Sequence, residues 1–192
     1  KVADPLIKKL QEKINAITIG DPSRKENWLG PVTTASALKN YERYSKELTE
    51  NGGRILSGGK RLAEGELTHG YFVAPTLAEA PATHPLFKEE MFVPITMVCR
   101  VRDRAEAIRL ANDSRFGLTA GLYGNDDDAA YFFDNIEAGV TYVNRPQGAT
   151  TGAWPGYQPF GGWKGSGSSG KGIASFYYLA QYLREQSQTK VE

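Results

Sequence analysis

Between Met97 and Asn144 the hydrophobic period of the sequence changes repeatedly, and this alternation restricts the fold more than any other feature. Met97-Val98-Cys99-Arg100-Val101 reads as a buried strand. Asp103 then caps a helix over residues 104–112, with Ala107, Ile108 and Leu110 on its inner side. Thr119-Ala120-Gly121-Leu122-Tyr123 reads as a strand. Asp126, Asp127 and Asp128 open the next helix, where carboxylates suit the positive end of the helix dipole. Val140-Thr141-Tyr142-Val143-Asn144 closes the series as a further strand. Strands alternating with helices predict an α/β fold: three layers, with a largely parallel twisted sheet flanked by helices.

The first half is less regular. Leu6, Leu10, Ile14 and Ile17 recur at helical spacing up to Gly20-Asp21-Pro22, where glycine turns the chain and proline blocks continuation. Thr33 or Thr34 caps a second helix carrying Leu38, Tyr41 and Leu48, which ends at Asn51-Gly52-Gly53. Arg54-Ile55-Leu56 is a short strand candidate, and residues 71–77 are another. Pro75 marks the latter as a sheet edge or a strand end. From Arg145 to Gly172 the periodicity stops, and glycine, serine, threonine and proline dominate. A loop of that length inside a domain is either functional or disordered, and Trp154, Tyr157, Phe160 and Trp163 argue against disorder. A last helix is expected near Ser175 to Gln181, then a polar strand or tail from Tyr182. The domain reading is 1–181 as one body, with 182–192 as an appended strand or tail.

The formal net charge of +1, from 23 basic and 22 acidic residues, gives no reason to expect nucleic acid. No apolar run approaches the roughly 20 residues that span a bilayer, so no membrane partner is expected and the chain reads as soluble. The one cysteine, Cys99, excludes an internal disulfide and points to a reducing, cytoplasmic setting. Lying between Val98 and Arg100, it reads as a small core hydrophobe rather than a nucleophile. His69 and His84 have no second ligand at metal spacing, so surface or structural roles are expected and no metal site. The segment 166–169 lacks the partners of a serine nucleophile. Lys1 is not Met, and residues 2–6 lead straight into a helical pattern without the layout of a signal peptide. The expectation is a chain cut from a longer one.

Three motifs carry candidate chemistry. In Glu89-Glu90-Met91-Phe92-Val93-Pro94-Ile95, a carboxylate can accept both hydroxyls of a ribose while an aromatic face packs on the sugar. Spacing alone favours the plainer reading, a solvated acidic loop with Phe92 in the core. In Gln158-Pro159-Phe160-Gly161-Gly162-Trp163-Lys164-Gly165-Ser166-Gly167, the paired glycines permit close backbone approach and the aromatics supply walls. A tight loop packed on its own domain accounts for it equally well, and a phosphate cradle fails on pattern. In Thr150-Thr151-Gly152-Ala153, hydroxyls and backbone N–H groups suit a small anion, though any turn uses such residues.

Taken in order, the helix into Gly20-Asp21-Pro22, Leu29-Gly30-Pro31-Val32, Phe72-Val73-Ala74-Pro75-Thr76, Glu90 to Ile95, Asn112-Asp113 through Phe116-Gly117-Leu118-Thr119-Ala120, and Pro159 to Lys164 with Ser166-Gly167 resemble the C-terminal part of the aldehyde dehydrogenase superfamily. The resemblance covers nearly the whole chain. It implies that Glu90 holds the nicotinamide-ribose hydroxyls of NAD or NADP and that Phe92 packs beside that ribose. Val93 stands where the family has glycine. It further implies that Asn144 lies near the inner end of its strand and that Phe160 walls the aldehyde tunnel.

Asn144-Arg145, Thr151-Gly152-Ala153 and Gln158 to Gly162 are similar to the 1-pyrroline-5-carboxylate (glutamate-semialdehyde) dehydrogenase branch. There the Gly152 and Ala153 positions offer backbone N–H groups to the α-carboxylate of an amino-acid semialdehyde. The family mechanism is covalent: a cysteine thiolate attacks the aldehyde, hydride leaves to NAD(P)+, and an activated water hydrolyses the thioester. The resemblance puts that cysteine, the general base and the main nucleotide-binding region upstream of residue 1. No catalytic residue is therefore expected in this chain, and the chain alone is expected to be inactive. Residues 182–192 resemble the strand that pairs across subunits, so a homo-oligomer is expected. The competing readings are another aldehyde dehydrogenase with a different substrate, and a stand-alone oligomerisation or binding module.

Overall fold

A computed structural model describes residues 2–146, 158–167 and 171–192. The chain divides into two compact units, Lys1–Arg100 and Val101–Glu192.

In the first unit, α1 (Ala3–Asn15) and α2 (Ala35–Glu50) accompany three strands, β1 (Arg54–Ser57), β2 (Thr76–Glu79) and β3 (Ile95–Val98). The sheet order is β1-β2-β3, antiparallel between β1 and β2 and parallel between β2 and β3. Thr34 caps α2, its Oγ1 accepting the Ala37 N–H at 3.1 Å. α1 stops at Asn15, short of Gly20, because Ile19 leaves the helix to bridge with Leu29.

The strand expected over residues 71–77 begins only at Thr76. Pro75 has no N–H to give a ladder, whereas the Thr76 N–H donates to the Pro94 carbonyl at 2.8 Å. Pro75 therefore marks a strand end, and the strand it precedes is the central one. Thr76, Leu77 and Ala78 are buried there. On one side lie Leu38, Tyr41 and Val73; on another, Tyr44, Leu48 and Leu86 join Ala78. β3 also starts earlier than expected and is only half-buried, as suits the edge of a sheet.

The connection from β2 to β3 is parallel yet contains no α-helix. Its one regular element is the 3₁₀ turn Pro85–Lys88, after which the chain runs through Glu89 to Pro94. The crossover's return leg is thus the acidic–aromatic motif.

In the second unit the expected alternation is present. α3 (Arg104–Asn112) is capped by Asp103, which accepts the Glu106 N–H at 2.8 Å. β4 (Phe116–Gly117) and β5 (Thr119–Leu122) follow, then α4 (Asp126–Asn135), β6 (Val140–Val143) and β7 (Trp163–Lys164). β5, α4 and β6 form a strand–helix–strand unit with a parallel ladder from Thr119↔Val140 to Leu122↔Val143. Asn125 caps α4, and the three aspartates occupy its first turn. Ile108, Phe132, Ile136 and Ala138 form the core against Ala120, Leu122 and Val143.

The α/β class holds, with the described strands distributed over sheets of three, two and two. The helix expected near Ser175 to Gln181 is absent: a 3₁₀ turn, Ala180–Tyr182, is the only regular element there, and residues 183–192 form no strand. Phe176, Tyr177, Leu179, Tyr182 and Leu183 are all exposed, so a short helix would gain no packed face to offset its nucleation.

Candidate functional site

The first unit presents Glu90 and Phe92 on one loop. His84 begins it: its N–H donates to the Pro81 carbonyl at 2.9 Å, and its Nδ1 accepts the Leu86 N–H at 3.2 Å. Leu86 is buried, and its carbonyl accepts the Glu89 N–H at 3.3 Å. Glu89 and Glu90 face solvent. Met91 and Val93 then pack onto the core, which turns Phe92 outward. Phe92 is 84% exposed, so the expectation of a core phenylalanine is corrected.

Two anchored neighbours around one outward residue force an unusual backbone. Phe92 has φ +52°, in the left-handed region. For an L-residue this costs roughly 1–2 kcal/mol, and such strain clusters at ligand-contacting sites. Val93 is used as a packing anchor, and the positive φ falls one residue earlier. The Ile95 N–H to Val93 carbonyl bond at 2.7 Å completes the turn into β3.

In the second unit, Phe160 forms an antiparallel bridge with Ile173, with bonds of 2.9 and 2.8 Å, and remains 38% exposed. The adjoining glycines serve backbone approach within the unit. A Cβ on Gly161 would lie 2.6 Å from the Gly172 Cα, and one on Gly162 would lie 2.4 Å from the Ser166 Cβ. Ser166 Oγ accepts the Gly117 N–H at 3.1 Å, and the Lys164 Nζ pairs with Glu137 at 2.5 Å. The motif is a tight loop packed on its own unit, with Phe160 and Trp163 still presenting apolar surface.

Asn144 stands one residue past β6, with φ +52°. Its Oδ1 accepts the Gly124 N–H at 3.0 Å and its Nδ2 donates to the Gly124 carbonyl at 2.8 Å. The Tyr123 hydroxyl donates to the Arg145 carbonyl, and the Arg145 guanidinium lies 5.6 Å from the centre of the Tyr142 ring. This corner sits at the carboxyl ends of the parallel pair β5–β6, where α/β sheets bind ligands. Gly152 and Ala153 lie outside the described residues.

Cys99 is half-buried, one residue past β3. Among the described residues no group of His, Cys, Asp and Glu has the arrangement of a metal site, and no helix is long and apolar enough to cross a membrane. Sequence reasoning passes over the burial of His84 and the partner of Asn144, since each depends on contacts that no local pattern signals.

The sequence pattern of the aldehyde dehydrogenase family matches residues 1–187. Among solved structures, a 1-pyrroline-5-carboxylate dehydrogenase aligns at 34% identity with TM-score 0.84, over 95% of this chain and 34% of that one. The Thermus 1-pyrroline-5-carboxylate dehydrogenase with bound NAD aligns at 35% identity and TM-score 0.84, over 95% and 34%. Betaine aldehyde dehydrogenase from Staphylococcus aureus in complex with NAD+ aligns at 26% identity and TM-score 0.82, over 94% and 35%. The chain spans about a third of the length of these structures.

Proposed function

From the membership of this chain in the aldehyde dehydrogenase family, we propose that it is the C-terminal part of an NAD(P)-dependent enzyme oxidising L-glutamate γ-semialdehyde to L-glutamate, a step of proline degradation. The observation that carries the substrate is the higher identity to the two 1-pyrroline-5-carboxylate dehydrogenases, 34% and 35%, than to the betaine aldehyde enzyme, 26%.

Glu90 and Phe92 are the residues this chain gives to the cofactor. An exposed carboxylate two residues from an aromatic ring held clear of the core fits a ribose, which offers two hydroxyl donors and an apolar face. Bound NAD(P)+ would supply the hydride acceptor. Glu90 accepts the ribose hydroxyls and Phe92 limits their movement. Phe160 forms part of the apolar wall around the aldehyde, and the Gly152 and Ala153 N–H groups hold the substrate carboxylate. The nucleophilic cysteine and the general base belong to the part of the enzyme that precedes this chain, so the chain by itself gives no turnover.

Residues 182–192 pair with a second copy as an oligomerisation strand, a reading favoured by the exposed Tyr182 and Leu183 at its start. The setting is the cytoplasm.

In the enzyme containing this part, turnover of the semialdehyde should exceed that of betaine aldehyde, and the reverse order overturns the substrate. A bulkier residue at Gly152 should harm the semialdehyde more than a simple aliphatic aldehyde; equal losses favour a family member with another substrate. Sedimentation with and without residues 182–192 tests the strand, and a monomer in both cases refutes it.

A further inference from the structure

We propose that His84 is a positioning residue for the Glu90–Phe92 segment, its ring nitrogen fixing how the chain leaves the 3₁₀ turn; its relevance to cofactor binding rests on the reading of Glu90 and Phe92 given above. The imidazole is 2% exposed. With Nδ1 accepting the Leu86 N–H at 3.2 Å, the neutral ring carries its proton on Nε2. That Nε2 is buried and has no partner among the described residues.

As filling, the ring is therefore a poor choice. An apolar side chain of similar size would occupy the space without burying an unmatched N–H. What it could not do is accept the Leu86 amide, and this is the function that the position supplies.

The consequence travels along the chain. His84 takes the first N–H of the turn, that of Leu86, on its ring, as an N-cap does, and its carbonyl takes the Phe87 N–H at 3.1 Å. Leu86 is thereby locked in the core, and its carbonyl receives the Glu89 N–H. The next core anchor is Met91. Glu90 hangs between these two fixed points, and Phe92 between Met91 and Val93. Loosening the first point frees the direction of the Glu90 carboxylate while leaving the β1-β2-β3 sheet intact.

Three variants test this: His84→Leu, which fills the site without an acceptor; His84→Asn, which keeps an N-cap oxygen; and Glu90→Gln. Amide exchange of the chain is followed over residues 84–93 and, as an internal reference, over Tyr41 to Leu48. His84→Leu should speed exchange at Leu86 and Glu89 by about tenfold with the reference unchanged, and His84→Asn should restore most of the protection. Unchanged exchange at Leu86 and Glu89 overturns the proposal, as does equal loosening of both segments without rescue by Asn. In the enzyme containing this part, His84→Leu should raise the KM for NAD+ several-fold with kcat little changed, again with Asn rescue. If Glu90→Gln raises that KM and His84→Leu does not, the positioning role fails. If Glu90→Gln has no effect, the cofactor reading fails, and the exchange data alone decide the role of His84.

Discussion

The Tyr41 hydroxyl lies 2.7 Å from the Thr76 Oγ1, fully buried between α2 and the first residue of the central strand. The same hydroxyl lies 2.7 Å from the Ala74 carbonyl, and Thr76 Oγ1 also accepts the Gly59 N–H at 2.8 Å. Burial pushes the Tyr41 phenol above its ordinary pKa. Gly58, at φ +81°, lets the preceding turn approach, since a Cβ there would sit 2.4 Å from the Pro75 carbonyl oxygen. One hydroxyl pair thus joins a helix, a strand start and a turn. Tyr41→Phe should lower stability by about 1–2 kcal/mol, and Thr76→Val by a similar amount or more, because it also leaves the Gly59 amide unmatched. Urea unfolding of the single and double variants should give a double loss smaller than the sum of the two singles.

Phe92 combines a left-handed backbone with an exposed ring, so its side chain contributes strain without burial. Glycine removes roughly 1–2 kcal/mol of strain and adds roughly 0.5–1 kcal/mol of unfolded-state entropy. Phe92→Gly should therefore raise stability by up to about 1.5 kcal/mol, while Phe92→Ala keeps the strain and should change little. Chemical denaturation of both decides the matter, and a destabilised Phe92→Gly would mean that the ring packs more firmly than its exposure implies.

Glu79 receives the Arg100 Nε at 2.5 Å and the Arg54 guanidinium at 2.9 Å, which hold its carboxyl below the ordinary glutamate range. Arg100 also bonds Asp4 at 2.6 Å and lowers that carboxyl in turn. A carboxyl lowered in the folded state stabilises above its unfolded pKa, and the contribution is lost as pH falls through the folded value. Stability of the first unit should thus decline below about pH 4.5. Arg100→Met should flatten that decline by abolishing part of the shift. Unfolding midpoints between about pH 6 and pH 3 measure it; parallel curves for the two proteins would exclude the arginine as the cause.

The features legible in the sequence are those whose partners are close in sequence. Asp103 reads correctly as a cap, and the cap of α2 narrows to Thr33 or Thr34, of which Thr34 is used, because a cap needs only the amide three residues on. The order of β5, α4 and β6 is legible from its period. The start of β2 is not, since residues 71–75 are as apolar as a strand and only the register with β3 separates them. The helix expected near Ser175 has suitable composition but no packed face. At the candidate site, spacing alone favours a solvated acidic loop, and the outward turn of Phe92 follows from Met91 and Val93 finding the core. The glycine pair announces close approach without naming Gly172 as its partner.

That approach gives the sharpest test of the second unit. Gly162 is buried, and a Cβ placed on it would meet the Ser166 Cβ at 2.4 Å, the Ser166 carbonyl oxygen at 2.9 Å and the Leu118 Cα at 3.0 Å. Only the first of these is a side chain, so the loop must move as a whole. Gly162→Ala should cost about 1–3 kcal/mol through overpacking. Ser166→Gly removes the closest atom but also the acceptor of the Gly117 N–H, and should by itself cost about 1 kcal/mol. The double variant should therefore be more stable than the sum of the singles predicts, yet below the parent chain, because the two backbone contacts persist. Gly139→Ala allows no such relief: its Cβ would meet the Gly161 carbonyl oxygen at 2.1 Å and the Gly162 Cα at 2.8 Å, both backbone. Thermal unfolding of the four proteins should place Gly139→Ala lowest, and full additivity of Gly162→Ala with Ser166→Gly would show that the glycine is not there for close approach.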